Sequence, residues 1–226
     1  MSVNPSDKGL LTPDNCVVLL IDHQPQMFVG VASVFRQLLL KNLLILANAA
    51  KIFRVPVVLT AVESKEFKGD LFPELLELFP DETPIKRSSM NSWESPAFLA
   101  QVKKTDRRNL VIAAPWTEVC LTMPALQALT DGYFVYVVED ASGGLSPAGH
   151  QAAVRRIEQA GGVSVTALQV LLEFQRDWAR PEHCDEVIRT LNAHGTVFGL
   201  GSENAPPEIS KTDRGLATEI DLPPKI

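Results

Sequence analysis

Five short, almost uninterrupted apolar runs punctuate the chain, at residues 17–21, 55–59, 110–114, 133–138 and 162–166. Each is too short for a buried helix, and each is rich in valine, isoleucine or leucine. Between them apolar residues recur at helical spacing, as at Phe35, Leu38, Leu39, Leu43 and Leu46, or at Ala152, Val154, Ile157 and Ala160. Alternation of continuous apolar strands with amphipathic helices predicts βαβ units with right-handed crossovers. The expected fold class is therefore α/β, a three-layer, doubly wound, Rossmann-like and mostly parallel sheet with helices on both faces.

The stretch 64–92 breaks this rhythm. It carries Phe72-Pro73, Phe79-Pro80 and Thr83-Pro84, and reads as loops around one short helix at residues 73–78. Long loops in a compact domain are often functional. Residues 202–226 are polar and proline-bearing without periodicity, which predicts a domain at 1–201 and a C-terminal extension at 202–226.

A chain of 226 residues with 46% hydrophobic content can bury the core of one such domain. No leader-like N-terminus and no window of about 18 uncharged apolar residues is present, so the expectation is a cytoplasmic protein without a membrane partner. A net charge of −6, with basic residues clustered only at 103–108, argues against nucleic acid. The 3 cysteines, Cys16, Cys120 and Cys184, form no CxxC pair, so neither a disulfide framework nor a zinc knuckle is implied.

In a parallel sheet, ligands sit beyond the carboxyl ends of the strands. Asp22 follows the first run. Cys120 follows the run at 110–114, in "APWTEVCLTMPAL", just before a segment of helical spacing in which Pro124 is tolerable only in the first turn. A helix N-terminus favours a thiolate, and its free N–H groups can hold an oxyanion. Asp22, at the exit of a strand too apolar to hold a carboxylate inside, could take the thiol proton; an N-cap or loop role is the alternative. His23 is adjacent but projects the other way if the strand continues, and ranks second. Lys86, in "PIKRSSMNSWESP", could reach the same cleft, with Arg87 a rival by position and a solvated surface charge the plain alternative.

Asp140-Ala-Ser-Gly-Gly144 reads as a tight turn and not a phosphate loop, His150 as a capping or packing residue, and Cys184 in "EHCD" as an ordinary helical position. Trp93 and Trp116 flank the two site segments and could line an aromatic wall, Trp116 being favoured because it lies in the same segment as Cys120. Trp178 reads as a core or subunit contact.

Four segments, "LLIDHQPQMF", "KRSSMNSWES", "APWTEVCLTMPALQAL" and "VYVVEDASGG", together make the chain similar to the isochorismatase-like cysteine hydrolases over roughly residues 12–200, nearest their YcaC-like branch. The resemblance implies a triad of Cys120 as nucleophile, Asp22 as base and Lys86 as its electrostatic partner. It further implies a cis peptide between Pro115 and Trp116 that would aim the N–H groups of Trp116 and Cys120 as an oxyanion hole. Gln24, in the family's D-x-Q, is a pocket-lining candidate with Trp93 and Trp116. Nicotinamidases in this family carry an Asp and two His metal ligands around the loop after the second strand, where this chain has no histidine, so neither a metal nor another cofactor is expected. The function so implied is hydrolysis of an amide-like C–N bond in a small molecule through a thioester, by a homo-oligomer. An ester or thioester hydrolase, a redox-reactive thiol protein and a non-catalytic assembly module remain the alternatives.

Overall fold

The computed structural model describes residues 9–65 and 67–195; the proposed extension at 202–226 lies outside them. Strands β1 (Cys16–Ile21), β2 (Val57–Val62), β3 (Ile85–Arg87), β4 (Asn109–Ala113), β5 (Phe134–Val138) and β6 (Val163–Val165) form one sheet. Its order is β3-β2-β1-β4-β5-β6, and every pairing is parallel. The expected α/β architecture is thus the one observed, with a sixth strand that the apolar pattern does not reveal. β3 is only three residues long, follows a proline and holds two cations. Its strand character comes from pairing with β2, in register Ala61 with Lys86 and Val62 with Arg87, rather than from local propensity.

The helices are α1 (Pro25–Val29), α2 (Arg36–Ile52), α3 (Pro73–Leu78), α4 (Pro96–Lys104), α5 (Thr122–Thr130), α6 (Pro147–Gln159), α7 (Ala167–Gln175) and α8 (Cys184–His194). Strand side chains alternate between two apolar layers. Val18, Leu20, Leu59 and Val111 pack with Leu43 and Leu46 of α2, Leu171 of α7 and Val187 of α8. Leu19, Ile21, Leu110 and Ile112 pack on the other face with Phe98 of α4, Ala125 of α5 and Ile157 of α6. Helix starts follow local chemistry: Ser95 and Ser146 cap α4 and α6 ahead of a proline, and Thr166 with Gln169 forms a capping box on α7.

The order of strands reverses between β1 and β4. The chain leaving β1 turns to the α2 layer, whereas that leaving β4 turns to the α5 layer, and a crevice opens between them. No helix among the described residues is long and apolar enough to cross a membrane.

Leu19 is fully buried in β1 at the centre of the sheet. Leu19→Ala is expected to lower the unfolding free energy in urea by about 2–5 kcal/mol. Leu10→Ala, at a position 58% exposed, is the control and should stay within about 0.5 kcal/mol. Equal effects of the two would contradict the layer assignment.

Candidate active site

Asp22 directly follows β1. Its φ of +58° breaks the strand's alternation, its N–H still donates to the Thr60 carbonyl, and its side chain is fully buried. Oδ2 accepts a hydrogen bond from Arg87 Nη2 at 2.6 Å inside a buried ion pair. The second oxygen, Oδ1, is buried and receives no aligned donor, and the neighbouring thiol is that of Cys120. Burial pushes the Asp22 carboxyl above the usual carboxylate range, against the opposing pull of Arg87 and of the Cys120 hydrogen bond.

The cation is Arg87, and here the structure corrects the assignment to Lys86. Adjacent strand residues point to opposite faces. Arg87 pairs in register with Val62, whose side chain belongs to the layer that contains Cys120, and it turns inward; a second guanidinium N–H donates to the Ser89 carbonyl. Lys86 shares the face of Ala61, which belongs to the opposite layer. Its ammonium lies 3.7 Å from Glu63 and 4.0 Å from Asp70, with 54% of the side chain exposed. The alternation of a strand decides between the two neighbours, and reading 85–87 as a loop concealed that rule.

Cys120 stands on the elbow between β4 and α5. Pro115 forms a single bridge with Gly143, Trp116 takes a left-handed φ of +58°, and residues Thr117–Leu121 form a π-helical turn before α5 begins. The Thr122 backbone N–H donates to the Thr117 carbonyl across the widened turn, and the Thr122 hydroxyl donates to the same carbonyl at 2.6 Å. Every peptide bond among the described residues is trans, so the expected cis bond between Pro115 and Trp116 is absent, and the chain turns there through the positive φ of Trp116. The Cys120 N–H is also taken, donating to the Trp116 carbonyl at 3.0 Å. The expected oxyanion hole from the Trp116 and Cys120 N–H groups therefore does not stand ready in this structure.

The preference of a helix start for a thiolate is opposed at Cys120. Cys120 is 3% exposed, and burial, then the charge of Asp22 and their hydrogen bond, hold its thiol well above the ordinary value of 9.0. These outweigh Arg87, which favours the thiolate. The sulfur therefore keeps its proton in the resting site.

Of the wall candidates, only Trp116 stands at the crevice. Its indole N–H donates to the Met27 carbonyl, and its ring meets Phe67 edge to face at 5.6 Å. Gln24 is fully buried and is a strut: its amide bonds the Val62 carbonyl and N–H and the Gly69 carbonyl, tying α1 to the loop after β2. Trp93 is 4% exposed, donates to Asp131 at the far end of α5 and packs on Tyr133, which precedes β5, so it serves the core below the site. His23 is fully buried on the other side, near Phe28 and the Ala141 carbonyl, with no aligned partner on either ring nitrogen; burial draws its pKa down to about 3. No group of three or more His, Cys, Asp and Glu suited to a metal occurs among the described residues.

Comparison with known proteins places this geometry in a family. The isochorismatase domain model matches residues 16–169, and the chain belongs to that family. Within it the chain falls in the YcaC-like branch of hydrolases. It is 37% identical over 169 residues to the protein named "probable hydrolase YcaC" of Escherichia coli (strain K12), covering 74% of this chain and 81% of that one. The solved structure of YcaC from Pseudomonas aeruginosa, with hexane-2,5-diol and covalent acrylamide, superposes with a TM-score of 0.79 at 30% identity, covering 96% of this chain and 100% of the other. The Escherichia coli YcaC structure, described as an octameric hydrolase of unknown specificity, gives 0.79 at 31% identity over 92% and 98% of the two chains.

Arg87→Met leaves the Asp22 charge buried and alone, and is expected to cost about 3–5 kcal/mol of unfolding free energy. Lys86→Met, at a solvated position, should change it by less than about 0.5 kcal/mol. The pH profile of iodoacetamide labelling, read by intact-protein mass in a Cys184→Ser background, checks the electrostatics. Its midpoint for Cys120 should lie above the ordinary 9.0, fall in Asp22→Asn because the carboxylate raises it, and rise in Arg87→Met because the cation lowers it. A midpoint indifferent to both changes would remove the thiol from the pair's influence.

Proposed function

We propose that the chain is a cysteine-nucleophile hydrolase that cleaves an amide-like C–N bond of a small molecule through a thioester. The observation that carries this reading is the Cys120 thiol beside a buried carboxylate that keeps one oxygen free of aligned donors while Arg87 holds the other. The pair sits where strand order reverses, the place at which open α/β sheets bind ligands.

In the mechanism, a substrate carbonyl enters between Cys120 and the elbow. As the sulfur attacks the carbonyl carbon, the thiol proton passes to Asp22, and the C=O electrons move onto oxygen, where backbone N–H groups of the elbow stabilise the oxyanion. Collapse of the tetrahedral species expels the amine, which takes the proton from Asp22 and leaves the acyl group on sulfur. Water then attacks the thioester and gives a proton to Asp22. The second collapse releases the carboxylic acid, and the departing sulfur recovers the proton from Asp22. Arg87 touches the carboxylate throughout, offsets its desolvation, and restores the charged form after each transfer; Lys86 has no part in these steps.

The redox alternative fits the site less well. Sensor cysteines are exposed and have depressed pKa values, whereas Cys120 is covered and its thiol is pushed up. A cytoplasmic location and self-association complete the reading. The latter is supported by the octamer described for Escherichia coli YcaC and by the exposed side chains of Val29, Phe35, Met90 and Leu145 around the carboxyl end of the sheet.

A library of small amides and esters, followed by intact-protein mass spectrometry, tests the proposal. The productive amide should leave a transient acyl adduct on Cys120, and Asp22→Asn should lower kcat by roughly 10²–10⁴-fold. Preferred turnover of esters would redirect the substrate class with the same residues. Undiminished turnover by Cys120→Ala would sink the nucleophile assignment.

A further inference from the structure

The elbow is held from a second side by groups that the mechanism above does not use. Thr117, the first residue of the π-helical turn, is fully buried, and its Oγ1 lies 2.7 Å from Nδ1 of His150 in α6. Nε2 of the same ring lies 3.8 Å from Oε1 of Glu139, in the turn that leaves β5. The next elbow residue, Glu118, accepts the Leu145 N–H on Oε1 at 3.1 Å. Close approach explains the neighbouring glycines: a Cβ on Gly149 would stand 2.3 Å from Glu118 Oε1, and one on Gly144 2.8 Å from Oε2. Two consecutive residues of the turn that carries the nucleophile are thus fastened to the start of α6 and the exit of β5.

We infer that His150 is a positioning residue for the nucleophile elbow: acting through Thr117 and backed by Glu139, it fixes where Cys120 stands relative to Asp22. This rests on the cysteine-hydrolase reading. Capping does not explain the histidine, because Ser146 already caps α6 through the Gly149 N–H. Packing alone does not explain it either, since a space filler needs no directional bond to a fully buried hydroxyl.

Burial favours the neutral ring and draws its pKa below 6.5, with Glu139 and Glu118 pulling the other way. In the neutral tautomer that satisfies both neighbours, Nε2–H faces Glu139 and Nδ1 accepts the Thr117 hydroxyl proton. Thr117 then has its hydroxyl committed to α6 and its carbonyl to Thr122, while its N–H donates to Gly143. Cys120, three residues on, inherits that position through the hydrogen bond from its own N–H to the Trp116 carbonyl.

The test compares His150→Ala, Thr117→Val, the double variant and His150→Asn, whose amide can stand where Nδ1 stood. Hydrolysis of p-nitrophenyl acetate, corrected for Cys120→Ala, supplies kcat and KM. Each single variant should lose roughly ten- to a hundredfold in kcat with KM within about twofold, since a misplaced nucleophile costs rate and not binding. The double variant should be no slower than the slower single one, and His150→Asn should recover to within about threefold of the parent. Independently of turnover, the labelling midpoint of Cys120 should fall by about one pH unit or more in His150→Ala and Thr117→Val as the thiol leaves the carboxylate, and stay put in His150→Asn. An unchanged midpoint in both single variants, a kcat within twofold of the parent, or losses that multiply in the double variant would overturn the inference. Turnover that survives Cys120→Ala instead defeats the nucleophile reading, and the labelling midpoints then decide the positioning role alone.

Discussion

The ion pair between Asp22 and Arg87 is the interaction around which the site is organised. A carboxylate with no exposed surface is costly to desolvate, and burial alone pushes Asp22 toward its neutral form. A guanidinium 2.6 Å away and itself nearly buried offsets that cost. The balance leaves a carboxyl group whose affinity for a proton is higher than that of a surface aspartate, yet which has a fixed cation to return to. A base with both properties suits a step in which a proton must be accepted and then given up to the leaving group.

The sheet supplies the coordinates of that pair. Asp22 follows β1 and Arg87 closes β3, with β2 between them, so the arginine reaches across the end of one strand to meet the aspartate. Cys120 comes from the other side of the order reversal, on a turn widened by one π-helical step. Three segments far apart in sequence converge because parallel strands end at the same edge. Gln24 strengthens that convergence by bonding the exit of β2 and the loop beyond it to the residue that caps α1.

Much of this is legible in the chain before any coordinates are known. Continuous apolar runs report strands buried on both faces, and the rule that ligands sit at carboxyl ends selects Asp22 and Cys120 directly. The cation is not selected, because β3 has no apolar run to announce it: Ile85-Lys86-Arg87 looks like polar loop until Val62 and Ala61 give it a register. Gln24 and Trp93 mislead for a related reason. Their nearness to site segments in sequence is real, but where a side chain ends depends on partners, the Val62 and Gly69 backbone for one and Asp131 for the other, that lie 38 to 45 residues away. The ionisation of Cys120 is the clearest case. Position at a helix start argues for a thiolate, whereas burial and the adjacent carboxylate argue for a thiol, and only the three-dimensional surroundings show that the second pair of effects wins.

That outcome changes what the site must do to react. A standing thiolate would be nucleophilic at rest and open to oxidation, but it would leave Asp22 facing a like charge with one cation to serve both. With the sulfur protonated, the proposed mechanism has the thiol become nucleophilic as its proton moves to Asp22. The two heavy atoms must then be close and aligned at the moment of attack, because no ionised sulfur waits for the substrate. A nucleophile used this way gains more from a rigid elbow than from a lowered pKa. The positive φ at Trp116, the Thr122 bond across the π-helical turn and the contacts of Thr117 and Glu118 with α6 all act on that rigidity.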